Sequence, residues 1–174
     1  MPYHLHPEYP PEGIARAVMV ARYGDHFATT VRLLAEEAGL PFNPHPDRIP
    51  NSRRALELSE WARALGGDAY GMLHDRIMDA YWAEGRDITG WDVLGACAAD
   101  VGLDPDAGRT AVESGAHAQA VDTSTAWAQR HGIQAVPAFL LDGRLLVSGA
   151  HPVETFGLAI EKVRELREAD TAGE

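Results

Sequence analysis

The chain has 174 residues, 45% of them hydrophobic, enough for one compact domain with a sizeable core or a small fold with an inserted lobe. A formal net charge of −11 argues against a nucleic-acid footprint, which needs lysines and arginines clustered on one face. No run approaches the roughly 20 apolar residues of a bilayer span, and the opening Met-Pro-Tyr-His-Leu-His has no basic or apolar leader character. With Cys97 as the one cysteine, an internal disulfide is impossible, and a cytoplasmic location is expected.

Residues 3–6 alternate as a short strand, and Pro7, Pro10 and Pro11 end it and lead into a helix near Gly13. From Ile14 to Ala38, Val18, Phe27, Val31, Leu34 and Ala38 recur at helical spacing, with a break at Gly24 and Asp25, where Asp25 caps a second helix. Residues 40–50 are proline-rich and irregular. Asn51 or Ser52 then caps a helix carrying Leu56, Leu58, Trp61 and Leu65, closed by Gly66 and Gly67.

Helical spacing continues through Met72, Leu73, Ile77, Ala80 and Tyr81 to a stop at Gly85, and again through Trp91, Val93, Leu94, Cys97, Ala98 and Val101. Asp104-Pro105 supplies a cap and a first-turn proline for a short helix, and the alanine-rich stretch 116–131 forms a longer one. Phe139-Leu140-Leu141 and Leu145-Leu146-Val147 flank Asp142-Gly143, a strong hairpin signal. A terminal helix over 153–169 places Val153, Phe156, Ile160, Val163 and Leu166 on one face. The expected architecture is α/β, a single domain over 1–174 in which the helices of 13–131 are inserted into a small sheet built from 1–12 and 132–169.

Several stretches together carry a family resemblance: Pro10-Pro11-Glu12-Gly13, Asp47 to Ser52, Ala80 to Ile88, and Gly132 to Pro152. On them the chain resembles the DsbA-like branch of the thioredoxin superfamily, specifically the bacterial FrnE-type dithiol oxidoreductases. The resemblance implies a thioredoxin-like fold with a large all-helical insertion, and a cis bond at Val136–Pro137. Val136 and Pro137 would then form the substrate-binding loop, where an extended peptide or thiol substrate pairs as an added strand. Read without the resemblance, Pro137 simply starts a strand, where a missing N–H is harmless.

Members of that family begin with a strand, a Cys-x-x-Cys turn and a helix. No Cys-x-x-Cys occurs in these 174 residues, and residues 2–11 match the family's second strand and the loop after it. A central strand is therefore expected from elsewhere: a second copy of the chain in a homodimer, a separate partner polypeptide, or an upstream segment. The implied activity is thiol–disulfide oxidoreductase or isomerase, with no catalytic residue assignable in this chain and no cofactor expected. The alternatives are a non-catalytic thioredoxin-like binding or assembly module, and a glutathione-dependent protein resembling the 2-hydroxychromene-2-carboxylate isomerases.

The remaining candidates have plainer readings. Cys97, between Ala96 and Ala98 on an apolar helix face, reads as a small core residue, because burial in mid-helix raises a thiol pKa. His4 and His6 would share a strand face that His45 approaches, but without a carboxylate or thiol to complete a set no metal site is assigned. His131 suits a helix C-terminus. Trp61, Tyr81, Trp82, Trp91 and Trp127 read as core of the inserted lobe, and Arg53-Arg54 as a solvated face at a helix start.

Overall fold

The computed structural model describes residues 1–24, 26–43 and 47–172, with the side chains of 23, 26–28 and 172 left aside. Asp25 and His45 therefore lie outside the described residues. In chain order the elements are β1 (Ile14–Ala15), α1 (Arg16–Tyr23), α2 (His26–Glu37), β2 (Arg48–Ile49) and α3 (Arg53–Leu65). There follow α4 (Ala69–Met78), which runs into a π-helical turn over Asp79–Ala83, then α5 (Trp91–Asp100), α6 (Pro105–Glu113) and α7 (Ala118–Arg130). The chain finishes with β3 (Ala138–Leu141), β4 (Leu145–Ser148) and α8 (Val153–Ala172). It divides into two compact units, Met1–Thr125 and Ala126–Glu174.

The core of the first unit lies among α3, α4, α5 and α6. Leu58, Leu73, Leu94 and Cys97 are its largest fully buried side chains, and Trp61, Ile77, Ala80, Ile88, Val93 and Ala98 join them. Trp61 sits in this cluster and Tyr81 and Trp91 pack against it from its margin, as their helical spacing implies, whereas Trp127 belongs to the second unit and stacks on His131. Desolvation pushes the Tyr81 phenol up to about 12, so it stays neutral. Local signals set the helix ends. The Asp104 carboxylate accepts from the Asp106 and Ala107 N–H groups, with Pro105 in the first turn where no N–H is needed.

Residues 3–6 are not a strand. An extended segment becomes a strand only with a ladder partner. Here the His4 N–H donates to Thr125 Oγ1 (3.0 Å), so residues 1–10 form a strap held by side chains. Nor does a helix begin at Gly13. Residues 14 and 15 first pair antiparallel with β2, Ile14 opposite Ile49 and Ala15 opposite Arg48, and α1 starts at Arg16. The Arg48 guanidinium ties this corner by donating to the Glu12 and Gly13 carbonyls at 3.1 and 3.0 Å.

In the second unit β3 and β4 form an antiparallel hairpin, with Phe139 opposite Val147 and Leu141 opposite Leu145. Asp142 (φ 53°) and Gly143 (φ 65°) both take the left-handed region, and the Arg144 N–H donates to the Leu141 carbonyl (3.0 Å), as a tight Asp-Gly turn requires. α8 packs on the hairpin through Phe156, edge-to-face with Phe139 at 4.8 Å between ring centroids. Asp142 is clamped by Arg167 of α8 (2.7 Å) and by Arg144 (3.0 Å), and Arg144 also pairs with Asp170. No helix among the described residues is long and apolar enough to cross a membrane.

Candidate functional site

Two places carry exposed, chemistry-bearing groups, one in each unit. The first is a pocket of about 480 Å³ lined by His4, Pro7, Tyr9, Pro11, Asn51, Arg53 and Arg54. Asn51 organises it. Its Nδ2 donates to the Tyr9 carbonyl (2.8 Å), which fixes the amide orientation, because a carbonyl only accepts. Oδ1 then accepts from the Arg53 N–H (2.9 Å), capping α3, and from His4 Nε2 (3.0 Å). The sequence offered Asn51 or Ser52 as the cap; Asn51 makes the bond, and the Ser52 side chain makes no capping bond.

Since Asn51 Oδ1 only accepts, His4 carries its proton on Nε2 and leaves Nδ1 as a bare acceptor. His4 is 6% exposed, and burial pulls its pKa below 6.5, reinforced by Arg53 and opposed by the Asn51 bond and by Asp122 and Glu8. A histidine whose folded pKa is depressed stabilises the fold above its unfolded pKa, and that contribution is lost as pH falls through the folded value. Stability measured by urea denaturation is therefore expected to fall as pH drops from about 7 to about 5, above the range where carboxylates titrate. His4→Gln should flatten that slope; an unchanged slope would assign it to other groups.

Arg53 and Arg54 part company. Arg53 is half-buried, paired with Glu57 and Asp122, and donates to the Ala118 carbonyl (3.0 Å). The pair is thus not one solvated face: α7 delivers Asp122 to neutralise Arg53, a contact across 69 residues of sequence. Arg54 is exposed, donates to the Thr89 carbonyl (2.8 Å) and lies 5.8 Å from the centre of the Trp91 ring. His6 does not join His4. It pairs with Glu8 and stacks on Tyr9 at 4.3 Å, and no cluster of three metal-ligating side chains occurs among the described residues.

The second place is the start of the hairpin. The Val136–Pro137 peptide bond is cis, and both residues are exposed. The Gly149 N–H donates to the Pro137 carbonyl (2.8 Å), which sets the phase of the ladder. In antiparallel pairing the bonded positions alternate, so Phe139 and Leu141 turn their N–H and C=O groups to β4 while Ala138 and Leu140 turn theirs to the opposite edge. Among the described residues no strand pairs with that edge. Nearby, His131 Nδ1 lies 2.8 Å from the Trp127 carbonyl in the last turn of α7, and the two rings stack at 4.0 Å.

Cys97 is fully buried, and its Sγ is 3.9 Å from the Arg76 carbonyl. Desolvation raises the thiol pKa above 9.0, with Arg76 and Arg86 only partly opposing. It is core, as its place between two alanines implies.

The DSBA-like thioredoxin domain model matches residues 1–161. The chain belongs to this family. Its fold is the helix-rich, thioredoxin-like α/β architecture of DsbA-like proteins. A probable DsbA oxidoreductase from Streptomyces coelicolor superposes with a TM-score of 0.79 at 24% identity, covering 92% of this chain and 72% of its own. A 2-hydroxychromene-2-carboxylate isomerase superposes with a TM-score of 0.64 at 22% identity, covering 84% of this chain and 70% of its own. No curated protein sequence matches this DsbA-like chain.

Proposed function

We propose that this DsbA-like chain serves as a peptide- or thiol-binding thioredoxin-like module, of the FrnE type and cytoplasmic, in which Val136 and Pro137 present an extended substrate to the free edge of β3. The observation that carries the reading is that edge. Ala138 and Leu140 direct backbone donors and acceptors where an added strand pairs with them, as peptide recognition by strand addition requires. The 174 residues alone run no dithiol cycle, because Cys97 is their only thiol and is both buried and weakly acidic. The same edge accepts a strand from a second copy of the chain or from a partner polypeptide.

The test is an amide-resonance titration with an extended peptide blocked at both ends. Shifts at Ala138 and Leu140 larger than those at Phe139 and Leu141 support the proposal; equal or absent shifts overturn it. Insulin reduction by the chain is expected to stay at background, and Cys97 to react with a thiol reagent only after unfolding. Turnover of insulin would refute the non-catalytic reading. The isomerase-like alternative draws on the similarity to the 2-hydroxychromene-2-carboxylate isomerase. Saturable glutathione binding at Val136 would favour it over the peptide-binding reading.

A further inference from the structure

The pocket of the first unit is lined by two polar side chains with hydrogen-bonding capacity to spare, and they are of opposite kinds. The bare Nδ1 of His4 is an acceptor on a side chain that is 6% exposed and lines the pocket, and it has no partner among the described residues. The atom is not fully enclosed, so a hydrogen-bond donor can reach it. Arg54 lines the same pocket with a guanidinium that donates to the Thr89 carbonyl and lies over the Trp91 ring. No carboxylate pairs with it among the described residues, whereas neighbouring Arg53 is neutralised by Glu57 and Asp122. Pro7, Tyr9 and Pro11 supply apolar wall to the same pocket.

A ligand that suits all three features has a carboxylate for Arg54, an N–H for His4 Nδ1 and an apolar side chain for the prolines and Tyr9. The carboxyl-terminal residue of a peptide, or any N-acylated apolar amino acid, has that constitution: carboxylate and amide N–H on one carbon, with the side chain beside them. The volume of about 480 Å³ is of the size that small-ligand sites occupy. We infer that this pocket is a binding site for the free carboxyl-terminal apolar residue of a peptide or for an N-acylated apolar amino acid. Arg54 is its anion-binding side chain and His4 its hydrogen-bond acceptor. The inference does not rest on the β3 edge, which takes blocked, extended backbone.

The probe is N-acetylphenylalanine, followed by calorimetry and by amide resonances of Tyr9, Asn51 and Arg54. Saturable binding is expected, weakened at least about tenfold for N-acetylphenylalanine amide, which lacks the carboxylate, and for 3-phenylpropanoate, which lacks the N–H. Arg54→Gln is expected to weaken it by a similar factor while the variant stays folded, because Arg54 is exposed and gives up only a surface bond to the Thr89 carbonyl and a contact with Trp91. A short peptide ending in free phenylalanine separates the two sources: binding tighter than the acetylated amino acid indicates peptide termini, and equal or weaker binding indicates the small molecule. Absence of saturable binding, equal binding of the amide, or full binding by Arg54→Gln would overturn the site.

Discussion

Asn51→Ala is expected to destabilise the protein by about 3 kcal/mol, measured as a loss of urea midpoint with unchanged slope. The residue is buried, and each end of its amide serves two partners. Oδ1 accepts from His4 Nε2 and the Arg53 N–H; Nδ2 donates to the Tyr9 carbonyl and, at 3.4 Å, towards that of Pro10. Truncation strands the His4 donor in a site that is 6% exposed, and a buried donor without a partner costs about 1–3 kcal/mol. Loss of the cap on α3 adds about 1 kcal/mol. Asn51→Asp is a sharper test, because a carboxylate keeps both acceptor contacts and sets a negative charge against the Tyr9 and Pro10 carbonyls. It should recover the cap while leaving the strap of residues 1–10 loosened, visible as faster amide exchange at His4. Equal stability of wild type and Asn51→Ala would remove Asn51 as the organiser of the pocket.

What the sequence revealed and what it concealed divide along the range of the contacts. Helix limits and the hairpin are short-range matters, so Asp104-Pro105, Gly24, Gly85 and Asp142-Gly143 mark them where the structure has them. Asn51 was legible as a cap, since that bond spans 2 residues, but its bond to His4 spans 47. Nothing local announces such a bond. The same limit misread residues 3–6. Alternation over four positions satisfies a strand and a strap equally, and the choice was made by Thr125, far along the chain. Arg53 and Arg54 looked alike because the carboxylate that separates them, Asp122, belongs to another helix.

The DsbA-like membership was legible in motif residues, and so was the cis bond at Val136–Pro137. The open edge of β3 was not read directly. It followed from the register, which the Pro137–Gly149 bond fixes. The pocket was invisible from sequence for a further reason: its walls come from the strap of residues 1–10 and the start of α3, which only long-range bonds bring together. Arg54 and His4 stand 50 positions apart and carry no common motif.

Gly13→Ala should be the most damaging small substitution in the first unit, costing on the order of 4 kcal/mol. Gly13 takes φ +74°, where a side chain adds about 1–2 kcal/mol. A Cβ built there falls 2.1 Å from the Ile49 carbonyl oxygen and 3.0 Å from Pro50 Cα, both backbone, so no side chain can swing aside. Relief requires β1 and β2 to separate, which draws Pro50 and Asn51 away from the strap. Gly39→Ala is the control. It shares the positive φ, at +66°, but meets nothing within 4 Å, so it should cost only the conformational part, about 1 kcal/mol. The difference between the two variants isolates the close approach of Gly13 to Ile49. If that approach positions Asn51, Gly13→Ala will also weaken N-acetylphenylalanine binding at a temperature where the variant is still folded, while Gly39→Ala will not. Equal destabilisation by the two substitutions would mean that the corner at β1 and β2 yields freely and does not position the pocket.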